Sequence, residues 1–179
     1  MNTKDTLQKL LHSNAIAPVV MDRGQHSVTL VEETYNFTLR HIPNDSIVIK
    51  CDKFPNLCAL GQEFFLNENG ECKRADYALI SESSNVIMFF ELKKSKRSSK
   101  RADAILQLKG ATCVVNYCGL IAAEFLNKPR IFDGFLYRYY IVHHDSLRKR
   151  SFREDRPIDN STPHMPRIIG GAFMAFGDL

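Results

Sequence analysis

Apolar and polar positions change period several times along the 179 residues, and each change marks an element. Residues 3–13 place Leu7, Leu10 and Leu11 on one face, which predicts a short amphipathic helix. Alternation then takes over. Residues 27–33 and 36–41 alternate apolar with polar side chains and are rich in Val, Thr, Tyr and Phe. They predict two strands joined by a tight turn near Thr34 and Tyr35. A third strand, 46–50, begins at the end of the turn-forming PNDS. Segment 51–62 has no decisive period. Residues 63–66 predict a short strand that turns at NENG into a strand over 71–81. The run VIMFFEL at 86–92 is apolar on both faces, the mark of a central strand. Helical spacing returns over 102–118, where Ile105, Leu108, Thr112 and Val115 recur and Gly119 is the expected C-cap. A second helical piece covers about 120–127 and stops before Pro129. Residues 136–144 form a late strand. From 146 the chain turns basic and proline-bearing (Pro157, Pro163, Pro166), so loop or extended structure is expected. No internal repeat is present.

These elements predict a single domain over 1–179 of mixed α/β class, with a central mixed sheet flanked by helices. A helix and β-meander elaboration occupies 1–55, the core 63–144, and a basic segment 146–179. The apolar fraction of 44% is enough for a sizeable core. No run of eighteen apolar residues occurs, so no membrane span is expected, and the N-terminus has no signal-peptide core. The five cysteines are odd in number and lack a CxxC pair. They read as reduced thiols of a cytoplasmic protein, mostly core filler, with a zinc site as the alternative. GGAFMAFG near the C-terminus lacks the lysine and helix of a P-loop, and HExxH and Gx-Ser-xG are absent. A nucleotide-driven motor, a zinc protease and an ordinary serine hydrolase are therefore disfavoured.

One apolar strand carries chemistry at its end. Glu91 and Lys93 are two apart and point to one face, which they share with Ile87 and Phe89. If the loop ESSN closes a hairpin that pairs Ser81 with Val86, Asp76 falls directly opposite Glu91, about 5 Å away between Cβ atoms. A slip of one residue would undo this. Two facing carboxylates repel each other, and a divalent cation relieves the repulsion; Mg²⁺ or Mn²⁺ takes carboxylate oxygens plus water. A neighbouring ammonium then orients water or stabilises charge on a phosphate. The bland alternative is an exposed ion pair on an edge strand.

Asp76 followed by Glu91-Leu92-Lys93 at the end of an apolar strand resembles the PD-(D/E)xK nuclease superfamily. The resemblance spans about 63–144 and implies a restriction-endonuclease-like core. It implies a metal-dependent nuclease acting on DNA or RNA, with Asp76 and Glu91 as metal ligands, the Leu92 carbonyl completing the coordination, and Lys93 positioning the attacking water. Ala75 stands where the family has Pro. Gln107 lies in the helix where some members carry a supporting Gln, without the aromatic four residues later, since position 111 is Ala. Glu63, Glu32 and Glu33 are candidates for the upstream acid of many members. The alternatives are a nucleic-acid- or protein-binding module of the same fold with a degenerate site, and a structural subunit whose basic loops contact an acidic protein.

The charge distribution agrees with a nucleic-acid partner. The net charge is only +4, but KKSKRSSKR at 93–101 holds six cations in nine residues, among them Lys94, Lys96, Arg97, Lys100 and Arg101. RKRSFREDR at 148–156 adds five more, including Arg148, Lys149 and Arg150. Such clusters contact phosphates and release counterions. The aromatics of YRYYIVHH read as core, and His143 and His144 as one buried and one exposed. A homodimer, or a subunit of a larger defence or repair system, is the expected assembly, because cutting both strands of a duplex needs two sites.

Overall fold

The computed structural model describes residues 2–33, 35–55, 57, 59, 63–94, 98–143 and 159–179. In chain order the elements are α1 (Thr3–Leu10), β1 (Ile16–Ala17), β2 (Val19–Asp22), β3 (Gln25–Glu32), β4 (Tyr35–Ile42), β5 (Ile47–Lys50), β6 (Tyr77–Ser81), β7 (Val86–Lys93), α2 (Ser98–Leu126), β8 (Leu136–His143), β9 (Arg167–Gly170) and β10 (Phe173–Ala175).

Two sheets and the helices form three layers. The first sheet has six strands in the order β1-β5-β6-β7-β8-β9. β1, β5, β6 and β7 run antiparallel to their neighbours, whereas β7, β8 and β9 are parallel. Helix α2 is the crossover that a parallel β7–β8 pair requires. The second sheet has the order β10-β4-β3-β2. Its β2–β3–β4 part is the expected N-terminal meander, and β10 joins it parallel to β4.

The central strand β7 is apolar on both faces because both are covered. Met88, Phe90 and Leu92 face the second sheet and pack with Leu30, Phe37, Leu39 and Tyr140. Ile87 and Phe89 face the helices and pack with Leu7 of α1 and with Ala104, Leu108, Ala111 and Val115 of α2. The parallel β7–β8 pair stacks one aromatic couple on each face, Phe89 on Tyr139 and Phe90 on Tyr140. The YRYYIVHH aromatics at 139 and 140 are thus core, as expected.

Several expectations need correction. Helices cover one face of the six-stranded sheet; the other is covered by the second sheet, since the meander needs a partner for its own apolar side. Residues 63–66 are not a strand: the N–H groups of Phe64 and Phe65 bond the Leu57 carbonyl in an irregular loop. β6 begins only at Tyr77, because 67–73 is spent on a turn. There Asn67 and Gly70 have φ of 60° and 82°, and the Asn67 side chain accepts from the Cys72 N–H.

Helix α2 runs unbroken through the expected stop at Gly119. That glycine lies against the Phe132 ring, and the helix ends instead at Asn127 (φ 51°), before Pro129. Residues 101–126 of α2 are long and apolar enough to cross a membrane by length and composition, although here one side of the helix packs on the sheet. The C-terminal stretch supplies two strands beyond the extended structure expected there. Cys72 is disulfide-bonded, against the reading of five reduced thiols, whereas Cys51, Cys113 and Cys118 are free. Sequence spacing without CxxC does not bar a bond between segments that folding brings together.

Candidate active site

The β6–β7 hairpin has the register that sets the carboxylates opposite each other: Ser81 pairs with Val86 and Tyr77 with Phe90. Its turn is held from both sides. The Asp45 carboxylate accepts from the Ser83 N–H (2.6 Å) and the Ser81 hydroxyl (3.1 Å). Asn85 adopts φ 52°, a conformation Asn tolerates well. These contacts pin the register that alternation alone leaves open to slippage.

Asp76 lies one residue before β6, where the chain crosses the ends of three strands. Its carbonyl accepts from the Cys51 N–H after β5 (2.9 Å), and its Oδ2 accepts from the Leu92 N–H of β7 (2.7 Å). Because a strand residue's N–H and C=O point to the same edge, the Leu92 carbonyl is directed to the Asp76 side as well.

Glu91 is almost wholly enclosed, its side chain 2% exposed. Its Oε1 pairs with the Lys93 ammonium at 2.5 Å, while its Oε2 is buried without a hydrogen-bond partner. Burial pushes the Glu91 carboxyl up to about 8, and the neighbouring Asp76 charge adds to this; Lys93 acts in the opposite sense and is outweighed. Burial likewise raises Asp76 to about 7, against the lowering effect of the Leu92 N–H. Protons are therefore held at a site that water cannot solvate. The largest acidic contributions to Asp76 from beyond the hairpin come from Glu32 and Asp52.

Helix α2 supplies the other wall. Lys93 Nζ donates to Gln107 Oε1 (2.6 Å), so the supporting Gln proposed from the sequence does meet the lysine. One turn earlier, Asp103 Oδ2 stands 3.7 Å from Lys93 Nζ, and Asp103 Oδ1 accepts from Lys73 Nζ at 2.5 Å. The helix comes this close because of Gly110: a Cβ there would lie 1.7 Å from the Lys73 carbonyl oxygen. The Ala75 N–H donates to the Gln107 carbonyl across the same contact (2.8 Å).

The structure thus brings together Asp76, Glu91, Lys93 and Gln107. Glu63 is exposed in the 63–66 loop. Glu33 pairs with Lys94 (3.1 Å) on the surface. Arg101 is exposed near the start of α2, and Lys100 falls in that helix. Lys96, Arg97, Arg148, Lys149, Arg150 and His144 lie outside the described residues. His143 is buried and sits in register opposite Lys93.

Three participants carry no sequence signal strong enough to find them. Lys73 and Asp103 are ordinary surface charges until the fold joins them. Tyr35, expected in a turn, opens β4 instead. Its hydroxyl donates to the Val142 carbonyl (2.9 Å) and accepts from the Lys93 N–H, spanning β7 and β8 where they leave the core.

Among the described residues no group of three or more His, Cys, Asp or Glu is arranged to hold a metal ion. A cation here would rest on the two carboxylates, a backbone carbonyl and water. No family model matches the chain, and no curated protein or solved structure matches it significantly.

Proposed function

We propose that the protein is a metal-dependent nuclease that hydrolyses phosphodiester bonds of nucleic acid through Asp76, Glu91 and Lys93. The observation that carries this reading is a buried pair of facing acids at the end of a central strand, with an ammonium between them and the helix. The order β6 with Asp76 just before it, β7 with Glu91 and Lys93, then α2 and β8, is the order the PD-(D/E)xK resemblance implies and supports the same reading.

The residues fit a hard divalent cation. Two raised carboxyl groups and one orphaned buried oxygen, Glu91 Oε2, make a costly arrangement that a bound cation relieves. Asp76, Glu91 and the Leu92 carbonyl would hold Mg²⁺ or Mn²⁺. When bound, the ion supplies a Lewis acid for the phosphate oxygen and an acidified water.

The chain's own residues do the rest. Asp76 is kept oriented by the Leu92 N–H. Lys93 is steered by the Gln107 side-chain oxygen Oε1, which leaves its ammonium to donate to the attacking water or to a phosphate oxygen as charge develops. The apolar strand beneath excludes bulk water from Glu91.

A second reading, a binding module with a degenerate site, is favoured by one observation: Lys93 is already engaged with Glu91, and no third acid completes a cluster among the described residues. Lys93→Met separates the two. It keeps the aliphatic stem and removes the ammonium, so nucleic-acid binding should persist within several-fold while cleavage falls at least a hundredfold, about 3 kcal/mol of transition-state stabilisation. The assay uses linear duplex, single-stranded DNA, branched DNA and structured RNA, each with Mg²⁺ and Mn²⁺. Binding without cleavage by the wild type favours the module. Equal cleavage by wild type and variant removes Lys93 from the mechanism.

A further inference from the structure

We propose that Lys73 and Lys93 form a phosphate subsite whose place is held, in the free protein, by the Asp103 carboxylate. The inference rests on the nuclease reading and extends it to how the substrate backbone is seated.

The geometry is that of one anion spanning two cations. Asp103 Oδ1 accepts from Lys73 at 2.5 Å and Oδ2 faces Lys93 at 3.7 Å. A phosphodiester presents the same feature, two terminal oxygens sharing one negative charge. The two ends of the bridge differ in a useful way. The Lys93 side chain is only 14% exposed and is fixed by Glu91 and Gln107. Lys73 and Asp103 are 40% and 41% exposed, so their pairing is a solvent-facing contact that exchanges readily.

The surroundings also favour an external anion. Asp103 is the only acid in the first 26 residues of the 29-residue helix α2, and exposed Arg101 and Lys94 lie close by in sequence. The Gly110 contact clamps the Lys73 backbone on α2. The Lys73 side chain can therefore leave Asp103 for a phosphate while its base stays put. A backbone phosphate arriving next to Lys93 would displace Asp103 and take both ammonium groups, next to the carboxylates that act on the scissile bond.

The test is a double-mutant cycle on binding, run in EDTA so that nothing is cut, with short labelled duplex and single-stranded oligonucleotides. Asp103→Asn removes the internal competitor. It should tighten binding about five- to tenfold at low salt and steepen the log–log salt dependence by about 0.7 to 0.9. Lys73→Gln should weaken binding several-fold, and in that background Asp103→Asn should lose most of its gain. Asp103→Glu, which keeps the charge, should bind like wild type.

Glu124→Gln removes a negative charge from the far end of the same helix and should change affinity less than twofold. If Asp103→Asn and Glu124→Gln act alike, only net charge matters and the subsite is wrong. It is equally overturned if the Asp103 and Lys73 effects multiply within a factor of about two, or if Asp103→Asn weakens binding. In each of these cases wild-type binding and cleavage stand, and so does the nuclease reading. A wild type that neither binds nor cuts any nucleic acid on the panel overturns both.

Discussion

Replacing Gly110 by Ala tests whether the site is assembled by the seating of one helix. The new Cβ would lie 1.7 Å from the Lys73 carbonyl oxygen and 2.9 Å from its carbon. Carbon meets a carbonyl oxygen at about 3.3 Å at closest, so helix and chain must part by roughly 1.6 Å. Within the helix alone the substitution would gain about 1 kcal/mol. Against this, parting stretches the Ala75–Gln107 backbone bond, worth about 1 kcal/mol, and strains a packed core by about 1–3 kcal/mol. The backbone oxygen cannot swing aside as a side chain would, so the upper part of that range applies, and a net loss of about 2–3 kcal/mol is expected.

For a chain of this size each kcal/mol lowers Tm by about 2–4 °C, so the variant should melt about 4–12 °C below wild type. The same displacement carries Gln107 away from Lys93, and metal-dependent cleavage should fall by more than tenfold. Gly119→Ala is the internal control. There the Cβ meets the Phe132 ring at 3.0 Å, a side chain that can yield. It should change stability by less than about 1 kcal/mol, on the helix-propensity scale. Thermal and urea melts followed by circular dichroism decide the matter. A Gly110→Ala protein as stable as wild type refutes the close seating of α2 on 73–75.

The remaining predictions concern the charges and the buried phenol. Asp76 and Glu91 have folded pKa values of about 7 and about 8, above their ordinary values of 3.8 and 4.5. The folded state therefore binds more protons than the unfolded state between about pH 4 and 8, and the metal-free protein should lose stability as pH rises through that window. Glu91→Gln should flatten the profile, and Mg²⁺ or Mn²⁺ should raise Tm most at the alkaline end. A melting temperature in EDTA that does not fall between pH 5 and 9 contradicts the raised pair. Neutralising Lys94, Lys96, Arg97, Lys100 and Arg101 together should weaken binding across nucleic-acid sequences and reduce the salt slope by about 0.7 to 0.9 per lost contact; an unchanged slope moves the contacts to 148–156. Tyr35→Phe removes the hydroxyl shared by the Lys93 N–H and the Val142 carbonyl. It should cost about 1–3 kcal/mol by leaving buried backbone groups unpaired, and an unchanged melt would show that water replaces it.

What the sequence made legible follows physical strength of signal. The β6–β7 hairpin was readable because VIMFFEL is apolar on both faces and the loop length leaves few registers; Asp76 and Glu91 followed from that geometry. Helical spacing over 102–118 placed the helix, and the PD-(D/E)xK resemblance singled out Gln107 on it. Gly119 misled because a glycine against an aromatic ring has the same letter as a C-cap, and only the position of Phe132 tells them apart. β9 and β10 were unreadable as sheet strands, being short and stabilised by what they join: Ile169 enters the core beside Val142, and Phe173 pairs in register with Thr38. Lys73 and Asp103 are 30 residues apart, and their side chains meet only because Gly110 lets α2 seat on the Lys73 backbone.

The parallel pairing of β10 with β4 has a consequence for how the protein is made. Residues 173–175 complete a sheet begun at residue 19, and residues 167–170 add the last strand of the sheet that bears the carboxylates. During synthesis, at about 5–20 residues per second, the hairpin and both helices can form early, but the six-stranded sheet is not finished until Gly170 has emerged and the four-stranded sheet not until Ala175 has. Until then β4 and β8 each present an open edge, and the nascent chain is exposed to wrong partners for several seconds.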